Sequence, residues 1–134
     1  MTVTPSATDE PTEGSQAIAA SVRKFQKELS SGIVSLALLG LLAHAEEPLY
    51  GYQIAKELEG YPGGLPVKQG TLYPVLRSLE TGGLLSSWVE PSVSGPPRRY
   101  YSITGDGRQA IELWMDTWAN TRGFVDAVLE GHRG

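Results

Sequence analysis

Between Gly70 and Gly83 a single proline interrupts an otherwise regular helical pattern. Leu72, Val75, Leu76 and Leu79 stand at i, i+3, i+4 and i+7, the spacing of one buried helix face. Pro74 has no backbone N–H, so the sequence predicts it in the first turn, where that donor would have no partner. The helix then starts near Gly70 or Thr71 and closes at Gly82-Gly83. Its other side offers Gln69, Thr71, Tyr73, Pro74, Arg77 and Ser78. A helix held to its body by one apolar face, with small, polar and basic groups opposite, is what a major groove can admit.

The segments around it supply such a body. Residues 1–16, with Asp9, Glu10 and Glu13 among Pro, Thr, Ser and Gly, read as a flexible acidic leader. Ile18, Val22, Phe25 and Leu29 make one stripe on a helix over Ala17 to Leu29, with Arg23, Lys24 and Lys27 on its other faces. Ser30 or Ser31 is placed to cap a second helix from Ile33 to about His44, apolar around most of its circumference. Glu46-Glu47-Pro48 stops it. Gly51 to Glu59 is a short helix, and the Gly- and Pro-rich stretch 60–66 a loop. Leu84 to Glu90 and Arg98 to Ile103 are strand-formers joined by the proline-bounded run Pro91 to Pro97, an antiparallel hairpin. Thr104 caps a last helix with Asp106 in its first turn.

The predicted fold is mainly α with a small β-hairpin. It is a winged helix-turn-helix domain over 17–104 with an extra N-terminal helix, followed by a dimerisation helix over 105–134.

Composition narrows the function. A chain of 134 residues without cysteine has no disulfide, thiolate metal site or thiol nucleophile, and fits a reducing cytoplasm. The apolar run Ile33 to Ala45 is too short to span a bilayer, and no secretory pattern opens the chain, so no membrane partner is expected. His44 and His132 sit far apart in the pattern. No metal spacing, nucleophile elbow or phosphate loop is present, which argues against an enzyme, a metal or a cofactor. The net charge of −4 conceals a basic segment: Lys68, Arg77, Arg98 and Arg99 face only Glu80 and Glu90 between Tyr61 and Tyr101. Arg77 can reach a guanine edge or a phosphate, Gln69 an adenine or the backbone, and the Tyr52 and Tyr73 hydroxyls a phosphate. Arg98-Arg99 at the hairpin mouth is the wing signal. Neighbouring strand residues point to opposite faces, so only one of the two faces a groove once the strand has begun.

Three motifs now stand in order. They are Leu49-Tyr50-Gly51-Tyr52-Gln53-Ile54, then Gly70-Thr71-Leu72-Tyr73-Pro74-Val75-Leu76 through Leu79-Glu80 to Gly83-Leu84, then Arg98-Arg99-Tyr100-Tyr101-Ser102-Ile103-Thr104 with Gly107. Together they closely resemble PadR-type transcriptional regulators over about Leu29 to Leu129. The short C-terminal region looks like that of the small subgroup with a single dimerisation helix. The resemblance implies a homodimeric repressor whose operator contacts come from the helix near Gly70 and from the Arg98 wing; Lys68, with Arg77 one of two basic residues in the reading-helix region, is a further DNA-binding candidate.

In the last helix Ile111, Trp114, Trp118, Val125 and Val128 fall on a heptad seam, with Thr121 at the interrupted position. A symmetric copy of the helix is the simplest partner for such a seam, with the Ala17 helix available to complete the interface. Trp114 and Trp118 either fill that interface or stack on a small aromatic effector, as the resemblance to drug-responsive relatives implies for the Trp118 position. The alternative to a DNA reader is a winged-helix module that binds a protein partner or a small signalling ligand. An amphipathic membrane anchor over Ala17 to Leu29 is a third reading, set against by its short stripe.

Overall fold

The computed structural model describes residues 12–63 and 68–133, without the Arg133 side chain. The expectations for leader residues 1–11 and loop residues 64–67 fall outside that set. Backbone contacts divide the chain into two units, Met1–Ser31 and Gly32–Gly134.

Helix α1 runs unbroken over Glu13–His44. The sequence predicts a leader to residue 16 and two helices parted at Ser30 or Ser31, and both boundaries are corrected. The Thr12 hydroxyl accepts the Ser15 N–H at 3.0 Å, and Glu13 lies in the first turn, so the helix starts four residues early. A serine within a helix can bond a preceding carbonyl instead of capping. Ser30 Oγ donates to the Gln26 carbonyl at 2.7 Å, and nothing forces a break there.

In the first unit Ile18, Val22, Phe25 and Leu29 are all exposed. In the second, α1 buries Val34, Leu38, Leu39, Leu41 and Leu42. At 32 residues with a window of mean hydropathy 1.2, α1 is long and apolar enough to cross a membrane, unlike the shorter helix the sequence predicts. Those five buried side chains pack with Ile54, Leu72, Leu76, Leu79, Leu85, Tyr101, Ile103 and Ile111, and the core buries 28% of that apolar window.

Strand β1 (Leu49–Tyr50) leads directly into α2 (Gly51–Glu59). Gln53 turns its side-chain oxygen back to accept the Tyr50 N–H at 3.0 Å, satisfying a donor at the helix entrance. Helix α3 (Gln69–Thr81) follows, then β2 (Leu85–Glu90), β3 (Arg98–Ile103) and α4 (Gly105–Arg133). The hairpin the sequence predicts is two-thirds of the sheet. The sheet is antiparallel in the order β1-β3-β2, and β1 is too short to announce itself in a pattern. Pairing aligns Leu49 and Ser87 with Tyr101, and Tyr50 and Trp88 with Tyr100.

Two joints hold the second unit together. At the end of α3, Gly83 takes φ +81°, and the Gly83 and Leu84 N–H groups return to the Glu80 and Leu79 carbonyls at 2.9 Å each. That left-handed glycine turn closes the helix and launches β2. Thr104 then ties the start of α4 to this turn. Its N–H donates to the Leu84 carbonyl at 3.1 Å, its hydroxyl to the Gly83 carbonyl at 2.7 Å, and its oxygen accepts the Gly107 N–H at 3.0 Å.

Candidate nucleic-acid interface

Helix α3 begins at Gln69 with Lys68 as its cap, and the Lys68 carbonyl accepts the Thr71 and Leu72 N–H groups. Pro74 therefore lies in the second turn, not the first as the sequence predicts. There it withholds an N–H from the Gly70 carbonyl. Leu72, Leu76 and Leu79 are buried and Val75 half-buried, which fixes the helix's rotation about its own axis. Lys68, Gln69, Thr71, Tyr73, Pro74, Arg77 and Ser78 are left exposed.

Tyr73 has a second task. Its ring lies so close to Gly51 that a Cβ there would stand 2.7 Å from the Tyr73 hydroxyl oxygen. The glycine at the first position of α2 thus lets α2 and α3 meet, while Tyr73 keeps 41% of its surface. Tyr52, one residue further, is exposed, with the Lys56 ammonium 5.6 Å from its ring centre.

The two wing arginines separate as strand geometry requires, since β3 begins at Arg98 itself. Arg98 lies over the Tyr50 ring at 4.5 Å, on the face where Tyr100 packs edge-on against Tyr50 and stacks with Trp88. Arg99 shares the other face with Ser87 and Tyr101 and donates to Ser87 Oγ at 2.9 Å. Ser87 in turn donates to the Glu80 carboxylate in the last turn of α3, with both oxygens at 2.8 Å. Arg77 and Tyr73 also act electrostatically on the Tyr101 hydroxyl. Burial pushes the Tyr101 pKa above its ordinary value of about 10; Glu80 and Tyr73 add to the rise, while Arg99 and Arg77 oppose it. Through Ser87 and Glu80, Arg99 is tied to the last turn of α3. Among the described residues none of Lys68, Arg77, Arg98 and Arg99 is in an ion pair.

Beyond β2, Ser92 donates to the Ser94 and Gly95 carbonyls at 2.9 and 3.0 Å, and Gly95 takes φ +104°. Val93 is fully exposed in this turn.

The seam residues do not share one environment. Ile111 is only 6% exposed and belongs to the core of its own unit, which corrects its placement in a subunit interface. Trp114 is half-buried against that core. Trp118, Val125 and Val128 are exposed. Leu113 and Phe124, eleven apart and so three turns along one side, are exposed as well, as is Leu129. Neither of two open depressions, one bounded by Tyr50, Tyr52 and Lys56 and the other by Leu41, His44 and Tyr61, includes Trp114 or Trp118.

Sequence reasoning quoted Tyr50, Gly51 and Glu80 within its motifs without giving them a role, and missed Ser87 and Trp88. Glu80 left a trace as the carboxylate nearest the reading face, but its partner on another element did not.

The profile of the transcriptional regulator PadR-like family matches residues 38–113, spanning α2, α3 and the whole sheet. The transcriptional regulator Rv3488 of Mycobacterium tuberculosis is 40% identical over 91 residues, covering 67% of this chain and 76% of its own. A PadR family transcriptional regulator from Eggerthella lenta superposes with a TM-score of 0.73 at 33% identity, covering 86% of this chain and 97% of its own. A PadR-like transcription factor from Bacteroides fragilis gives 0.64 at 30% identity, with 78% and 98% covered.

Proposed function

The chain belongs to the PadR-like family of transcriptional regulators, and on that premise we propose that it is a cytoplasmic, non-enzymatic repressor. In this reading it binds a double-stranded operator as a homodimer and is released by a small aromatic effector. The observation that carries the reading is the outward side of α3, where exposed Lys68 and Arg77 have no carboxylate ion-pair partner among the described residues and Arg99 is tied through Ser87 to Glu80 of the same helix. Basic groups without an internal counter-charge are ready to take phosphates in place of salt ions.

Helix α3 lies in the major groove, with Gln69, Thr71 and Arg77 toward base edges and Lys68 on the backbone. The Tyr73 and Tyr52 hydroxyls serve phosphates at the joint of α2 and α3. Arg99 reaches the flanking backbone from the reading side of the wing, and Arg98 does so from the Tyr50 side. Trp118, Val125 and Val128 on α4 meet the same residues of a second copy, since an exposed apolar seam on a terminal helix is self-complementary about a two-fold axis. The effector stacks on Trp118, which keeps 41% of its surface, with Trp114 behind it.

Fluorescence anisotropy on the duplex upstream of the chain's own coding region, against a shuffled duplex and across a salt series, tests this. Selective binding that weakens steeply with salt supports it. Equal, weak binding to both calls for another operator or a required ligand. No binding at low salt transfers the proposal to a module that binds a protein or signalling ligand.

A further inference from the structure

The Glu80–Ser87–Arg99 chain joins three elements, and nothing in the DNA-reading scheme requires it. Glu80 ends α3, Ser87 is in β2 and Arg99 is in β3. A serine hydroxyl has one proton and two lone pairs. With the Glu80 oxygens both at 2.8 Å and the Arg99 guanidinium at 2.9 Å, that proton goes to the carboxylate and a lone pair takes the arginine N–H. Both bonds are charge-assisted and their direction is fixed. Glu80 and Ser87 are half-buried, so the carboxylate's field at Arg99 is less screened by salt than a surface charge would be.

Resting on the operator-binding reading above, we propose that Glu80 is a positioning residue which, through Ser87, holds Arg99 on the α3 side of the wing and so sets the ratio of operator to unrelated-DNA binding. An arginine has five N–H donors, and among the described residues only one of Arg99's, on an Nη atom, is engaged. The rest of the guanidinium stays available to one phosphate in one place. Released from Ser87, the same long side chain would sweep a wide arc and meet any phosphate equally well, raising unrelated binding while losing its preorganisation for the operator. Arg99 and Glu80 form no direct ion pair, so the clamp orders the cation without neutralising it.

Glu90 provides a charge-matched control. It ends the same strand, but its neighbouring contact is the Trp88 indole N–H at 3.2 Å. Wild-type protein is first used to select a duplex from a random pool. Anisotropy then measures that duplex against a shuffled one for wild type, Glu80→Gln, Ser87→Ala, Glu90→Gln, Arg99→Ala and the Glu80→Gln/Arg99→Ala double variant. Glu80→Gln and Ser87→Ala should each lower the selectivity ratio about five- to tenfold. Glu90→Gln should shift both affinities together and leave the ratio alone. Once Arg99 is alanine, Glu80→Gln should have no further effect on it. Thermal melts separate a folding defect, which would depress both affinities, and the near-isosteric Glu80→Gln keeps the test informative if Ser87→Ala melts early. A selective wild type with an unchanged Glu80→Gln ratio, or an equal loss with and without Arg99, overturns the inference alone. A wild type that selects nothing overturns the operator-binding reading with it.

Discussion

A Cβ built on Gly107 would run into the Leu84 carbonyl oxygen and Ile103 Cγ1, whereas the nearest atoms to one built on Gly51 belong to the Tyr73 side chain. The first obstacle is backbone held by hydrogen bonds on both sides, while the second is a side chain able to rotate toward solvent. Gly107→Ala should therefore destabilise the fold by about 2–3 kcal/mol, and Gly51→Ala by roughly 1 kcal/mol while also displacing Tyr73. Urea unfolding of the two variants should show that order. Tyr101 adds a pH dependence. Its folded pKa is raised, so its stabilising share is whole below the unfolded value of about 10 and is lost as pH climbs through the folded value. Tyr101→Phe should leave stability near neutral pH almost unchanged and flatten the alkaline decline, as unfolding at about pH 7 and pH 11 would show. At this scale the sequence reveals exposed residues better than constrained ones. Gln69, Thr71 and Arg77 follow from the phase of a single helix. The need for glycine at 107 arises from a carbonyl more than twenty positions away.

Among the elements, α2, α3 and the hairpin lie close to where periodicity and Gly/Pro punctuation put them, because those signals are local. Helix α1 departs because serine sends two messages: it caps a new helix or bonds back within an existing one. Only the surroundings choose. The same helix makes a third prediction. Gly32 is helical and a Cβ on it would meet nothing within 4 Å, so Gly32→Ala should raise stability, by up to about 1 kcal/mol, measurable as a higher melting temperature. A fall would mean that the position needs glycine for something other than room. Pro74 shows the opposite failure. Sequence rules place proline where no hydrogen bond is forfeited, yet α3 accepts it one turn later, with Leu72 and Leu76 anchored on either side of it.

Across the whole molecule the fold class and family were legible, and the extent of the apolar surface was not. The heptad phase marks a seam, but only the packed structure divides it into Ile111, which serves the core, and Trp118, Val125 and Val128, which remain exposed. Replacing Val125 and Val128 together with glutamate should halve the mass seen in sedimentation without changing the circular dichroism spectrum. A mass that never differed from one chain would remove the dimer. Arg77→Ala should weaken operator binding about ten- to hundredfold and relax the preference for the operator over a shuffled duplex, with the melt unchanged. Normal binding by that variant would mean α3 is not the reading element. The sheet order has a kinetic consequence. The β2–β3 hairpin is local and can zip within microseconds, whereas β1 must wait for Tyr100 and Tyr101, more than a third of the chain later, and close a long loop to reach them. During synthesis the entrance of α2 therefore stays unanchored until the far strand has left the ribosome. Assembly of the sheet is then the late event, and β1 gains its strand partner only when the wing is complete.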